Sequence, residues 1–106
     1  MKKIVINEMI KRIDKKFTLK PVATLDNYGI NLVLIEGEYP FHHHNGKEFF
    51  LVIKGEIYID VKDGESIVIR EGEGLLIEEG LVHRSRSSKK SIALVFEARD
   101  LSYKMV

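Results

Sequence analysis

Short runs of β-branched and aromatic residues recur along this chain about every 8 to 12 residues, each closed by a turn signal, the spacing of an antiparallel sandwich or barrel. The runs read VATL, INLVLIEGE, EFFLVIKG, EIYIDV, SIVI, LLIEEG, VHRSRS and SIALVFEA. Asp26-Asn27-Tyr28-Gly29, Gly55 and the glycines of EGEG punctuate them. Asp63-Gly64, a strong hairpin dipeptide, returns EIYIDV into SIVI. The pattern predicts an all-β chain folded as an antiparallel double-sheet β-sandwich or barrel.

Before Pro21 the period changes. Ile6, Met9, Ile10, Ile13 and Phe17 fall at helical spacing, with Asn7 placed to cap the start. A short N-terminal helix lying on the fold is expected, which divides the chain into a helical segment, 1–20, and a β-barrel domain, 21–106. At 106 residues the barrel has a single core.

Several function classes lose support at once. A net charge of +1 gives no electrostatic reason to expect nucleic acid or an anionic membrane. No apolar run approaches the roughly 20 residues of a membrane span. The opening MKKIVINEMIKRIDKKF lacks the continuous apolar stretch of a secretion signal, so a cytoplasmic protein is expected. Without cysteine there are no disulfides, thiolate nucleophiles or cysteine metal ligands.

The chemistry-bearing stretch is FHHHNGKEFFLVIKG, Phe41 to Gly55. Side chains alternate across a strand, so His42 and His44 share a face and His43 points away. Glu48 opens the next strand after the loop Asn45-Gly46-Lys47, and the remaining histidine, His83, stands near the start of a later one. Three imidazoles and a carboxylate suit Zn, Fe, Mn, Co, Ni or Cu. On an octahedral ion, four such ligands leave two positions open. From these residues alone, a polar loop stays open beside a metal site.

Spacing then supplies a resemblance. His42-x-His44, Glu48 and Gly55 resemble the first motif of the cupins, with Gly37 ahead of them one residue closer than usual. Gly72, Gly80 and His83 resemble the second motif, in which Glu78 and Ser87 stand where proline and asparagine are usual. Sixteen residues separate Gly55 from Gly72, similar to small microbial cupins. The N-terminus followed by KPVATLDNYGINLVLIEGE also resembles a single-domain group described as mannose-6-phosphate-isomerase-like. The resemblance implies a jelly-roll barrel and one divalent transition metal ion per chain, on His42, His44, Glu48 and His83.

Phe50 and Val52, with Tyr58 or Leu34, are expected to line a pocket beside that site, and Tyr39 to border its entrance. Arg84 and Arg86 alternate out of phase with His83 and should face away. Phe49, Leu51 and Ile53 make the Glu48 strand apolar on its other face too. That face needs a cover, and a homodimer is the expected one. Three functions remain: a metal-dependent, oxygenase-like enzyme acting on a small polar molecule, a phosphosugar isomerase, and a non-enzymatic binding or sensor module. The first is preferred because no spare acid or base is evident on the inward face once the four ligands are assigned.

Overall fold

A computed structural model describes residues 1–106. Nine strands follow one short helix: α1 (Ile6–Ile10), β1 (Lys20–Leu25), β2 (Tyr28–Glu38), β3 (His42–His44), β4 (Glu48–Lys54), β5 (Glu56–Val61), β6 (Ser66–Arg70), β7 (Gly74–Ile77), β8 (His83–Ala98) and β9 (Tyr103–Met105). All the strand ladders are antiparallel, as expected. The Asp63-Gly64 hairpin joins β5 to β6, with Asp63 at φ 57.

One strand organises the rest. VHRSRS and SIALVFEA, read from sequence as two runs, are a single 16-residue strand, β8. On one edge β8 pairs with β2 along most of its length. On the other, His83 to Arg86 pair with β5 and Ile92 to Glu97 with β4. Between these halves Ser88, Lys89 and Lys90 lie exposed, and the register against β2 slips there. Ser87 and Ser91 turn inward at this bend, their hydroxyls 2.9 Å apart and both donating to Glu56 O. Gly55 passes so close that a Cβ on it would meet Ser91 Oγ and Cβ, and its φ of +82° is itself unfavourable for other residues. The family-pattern departure at Ser87 therefore secures the bend of β8.

The curled sheet is apolar on both faces. Inside, Val33, Ile35, Phe50, Val52, Ile57, Ile59, Ile69, Ile77, Ala93 and Val95 form the main core. Outside, Leu32, Leu34 and Ile92 form a second cluster under Ile6, Met9, Ile10 and Ile13. Leu34, considered above for the pocket, belongs to this outer cluster. The helix is shorter than its apolar spacing suggested. It ends at Ile10, its N-cap is Val5 with no side-chain cap bond, and Asn7 lies inside it. A five-residue helix has little stability of its own, so its apolar contacts with the sheet hold it in place. Phe17, expected at its end, instead adopts φ 57 and donates its N–H to Leu34 O.

Candidate metal centre

The inward residues of three strand starts meet at one end of the barrel. His42 and His44 come from β3, Glu48 from the first position of β4, and His83 from the first position of β8. One ligand atom from each lies within 4.8 Å of those of the others. His43 is not in this group, as strand parity requires. His42 pairs with His83 on one side of β3, and β9 pairs with all three β3 residues on the other. The loop between β3 and β4 is pinned as well: Asn45 Oδ1 accepts from Ser102 N at 2.9 Å, and His44 O accepts from Gly80 N at 3.0 Å.

Hydrogen bonds decide which nitrogens face the centre. His42 Nδ1 lies 2.8 Å from Pro40 O and His83 Nδ1 lies 2.7 Å from Leu81 O. A carbonyl can only accept, so each Nδ1 carries a proton and donates, and each Nε2 is turned inward. His83 Nε2 is 3.0 Å from Glu48 Oε1. His44 is different. Its Nε2 lies 3.1 Å from Glu48 Oε1 without hydrogen-bond geometry, and both ring nitrogens are buried with no hydrogen-bond partner. A buried polar atom left unpaired costs about 1–3 kcal/mol.

This donor set fits a divalent transition ion. Donors about 2.1 Å from an ion stand about 3 to 4 Å from one another, close to the observed spacing. The carbonyl bonds of His42 and His83 are the outer contacts that fix a ligating imidazole's tautomer and orientation. Such an ion would also give one of the two unpaired His44 nitrogens a partner.

Charges follow from burial and neighbours. Burial raises the Glu48 carboxyl, but the His83 bond and the adjacent His44 imidazole outweigh it and hold the group down at about 2. Burial lowers His42, and the nearby His83 and His44 push the same way. Burial raises Tyr39, and the neighbouring Tyr103 pushes it the same way.

A cavity of about 720 Å³ adjoins the cluster. Tyr39 and Phe50 line it, while Val52 and Tyr58 are not among its lining residues. Val52 is 1% exposed in the main core, and Tyr58 lies on the outer face with Arg86 stacked 4.5 Å over its ring. Arg84 and Arg86 do face away from the cluster, but they are not simply solvated. Both bond Asp60 Oδ2, and Arg84 also bonds Glu38.

Sequence reasoning missed Glu97. It pairs with Glu48 across β4 and β8 and lines the cavity. Burial, then the neighbouring Glu48 carboxylate, push its carboxyl up to about 7. The expectation that the inward face holds no spare acid or base is therefore overturned. Its signal was present in the alternation Ala93, Val95, Glu97, a carboxylate in phase with core residues. Tyr103, from the unforeseen β9, was missed too. Its ring centroid stands 6.0 Å from that of His42 and 5.9 Å from that of His44.

Comparison with known proteins agrees with this arrangement. Residues 32–98 match the family described as Cupin domain. The chain is 38% identical over 77 residues to the uncharacterized protein YdbB of Bacillus subtilis (strain 168), covering 72% of this chain and 68% of YdbB. A cupin-2 domain containing protein from Shewanella frigidimarina superposes with a TM-score of 0.87 at 26% identity, covering 91% of this chain and 94% of that one. Hydroquinone 1,2-dioxygenase PnpCD, in a complex with Cd2+ and 4-hydroxybenzonitrile, superposes at 0.75 with 16% identity, covering 90% and 71%. That last likeness concerns the fold alone.

Proposed function

This chain belongs to the cupin family, and from that premise we propose that it holds one divalent transition metal ion on His42, His44, Glu48 and His83. We further propose that it is an oxygenase-like enzyme acting on a small molecule in the adjoining cavity. The observation that carries the reading is His44, buried with both ring nitrogens unpaired beside three other donors. A bound ion supplies Lewis acidity and, for iron or manganese, a redox centre. The chain's own contribution is to fix the imidazoles through Pro40 O and Leu81 O and to exclude water with Phe50, Val33 and Val95.

Glu97 favours a second reading. A carboxyl pushed up to about 7 and lining the same cavity is suited to carry a proton. Proton-transfer chemistry, including the isomerisation implied by the mannose-6-phosphate-isomerase-like resemblance, is the alternative. The test is to load protein separately with iron(II), manganese(II) and zinc, then offer catechols, diketones and sugar phosphates. Oxygen uptake with iron or manganese alone, surviving Glu97→Gln within a few fold, is the expected result. Zinc-supported sugar-phosphate turnover that Glu97→Gln abolishes would replace it with the isomerase. Binding without turnover under every condition would leave a binding or sensor module.

Association and location complete the proposal. The N-terminal segment covers Leu32, Leu34 and Ile92, yet Phe49 and its cross-strand neighbour Leu76 stay 37% and 51% exposed. We assign this remaining patch to a homodimer contact. No helix is long and apolar enough to cross a membrane; a cytoplasmic protein without a nucleic-acid partner is the reading we adopt.

A further inference from the structure

The cavity has polar groups that neither metal binding nor the barrel's own hydrogen bonds use. Arg99 lines it from the turn after β8, its backbone N–H held 2.8 Å from Asn27 O. Arg70, Arg84 and Arg86 are each engaged by carboxylates, whereas the Arg99 guanidinium forms no ion pair. Asn31 lines the same cavity, half-buried, and its side-chain amide makes no hydrogen bond within the chain. The two converge over a glycine. A Cβ placed on Gly29 would stand 3.3 Å from Asn31 Nδ2 and 4.0 Å from Arg99 Cγ. The bare Cα of Gly29 thus lets the Asn31 amide pack close over it, with the Arg99 side-chain stem beside the amide.

Strand register gives the distance from Gly29 to Glu48 in the cluster. Glu48 pairs with Glu97, and Glu97 pairs with Gly29, so the three lie in one row across β4, β8 and β2. Two strand spacings put Gly29 about 10 Å from Glu48. Nearer the cluster, Ser85 also lines the cavity, 7% exposed, with no hydrogen bond to its hydroxyl. With a divalent ion against the single Glu48 carboxylate, Arg99 leaves the cavity net positive even when Glu97 is ionised. A neutral ligand would leave that charge unused.

We propose that the ligand is a small organic anion whose oxygen-rich head meets the His/Glu cluster and whose carboxylate or phosphate, up to about 10 Å away, is read by Arg99 and Asn31. For its head end the proposal rests on the metal reading above. Arg99 is a specificity-determining residue here: its planar fork matches either anion, and the bond is charge-assisted.

The test compares anionic and neutral partners with the same head. Zinc-loaded protein is titrated calorimetrically with 3,4-dihydroxycinnamate and its methyl ester, and with mannose 6-phosphate and mannose. The anionic member of at least one pair should bind roughly 10- to 100-fold tighter. That advantage should fall below about threefold in Arg99→Gln, while the neutral member keeps its affinity. The pair that responds identifies carboxylate or phosphate as the source. Arg99 is exposed, and equal melting temperatures establish that the variant is folded. No preference in either pair overturns the proposal, as does one that Arg99→Gln leaves intact, since the ion's charge alone would then explain it. Zinc occupancy is measured on the same samples. Failure to take zinc sinks the metal reading, and the same titrations of zinc-free protein still score the Arg99 site.

Discussion

Replacing His44 with leucine should have opposite effects with and without metal. In metal-free protein His44→Leu removes two buried nitrogens that have no hydrogen-bond partner. Each such group costs about 1–3 kcal/mol, set against the loss of one 3.1 Å electrostatic contact with Glu48, which keeps His83 at 3.0 Å. Leucine also brings apolar surface into a site whose side chain is only 9% exposed. The balance is a gain of about 1 kcal/mol, and a domain of this size should melt about 4–8 °C higher. With metal at 100 times its Kd, wild type gains about 2.7 kcal/mol and the variant far less, so the order reverses. Thermal unfolding by circular dichroism, in chelator and then in zinc, reads both signs. A variant that melts several degrees below wild type in chelator would refute the reasoning, because His44 would then be a structural residue rather than one held ready for a ligand.

Other outcomes follow from the same geometry. His42→Ala, Glu48→Ala and His83→Ala should each weaken metal binding at least tenfold, measured by competition with a chromophoric chelator, while His43→Ala leaves it within about twofold. Asp60→Asn should cost about 1–2 kcal/mol in urea unfolding, between the values of exposed and buried ion pairs, since it faces both Arg84 and Arg86. Hydrogen bonding from Arg86 holds the Asp60 carboxyl below the usual range. Its stabilisation is therefore present above the unfolded value of about 4 and lost as pH falls further, and the variant should lack that part of the acid slope. Light scattering should give twice the 12.2 kDa chain mass, and Phe49→Lys should halve it; a wild-type monomer would leave the patch without a partner.

Much of this architecture was legible because period-2 alternation is a local property. It placed His42 and His44 on one face and His43 on the other, and it sent Arg84 and Arg86 outward. The bend in β8 was not legible, since Ser88-Lys89-Lys90 is exposed and polar like a turn between strands. Only the ladder to β2 shows the strand continuing past it. β9 was invisible for a related reason: all three residues are exposed, so no alternation marks them. Asn7 is a good capping residue, yet packing of Ile6, Met9 and Ile10 on the sheet set the helix start two residues earlier, with Val5 as the N-cap. Glu97 needed register, because only the pairing with Glu48 brings it to the site. Parity alone also could not separate Phe50, which lines the cavity, from Val52, two residues deeper in the core.

The most direct test is the metal content of untagged protein, purified without chelator and dialysed against metal-free buffer. The account predicts about one transition metal ion per chain by mass spectrometry, lost in His83→Ala and retained in His43→Ala. Protein that carries no ion, and whose melting curve is unmoved when iron(II), manganese(II) or zinc is supplied, would contradict it.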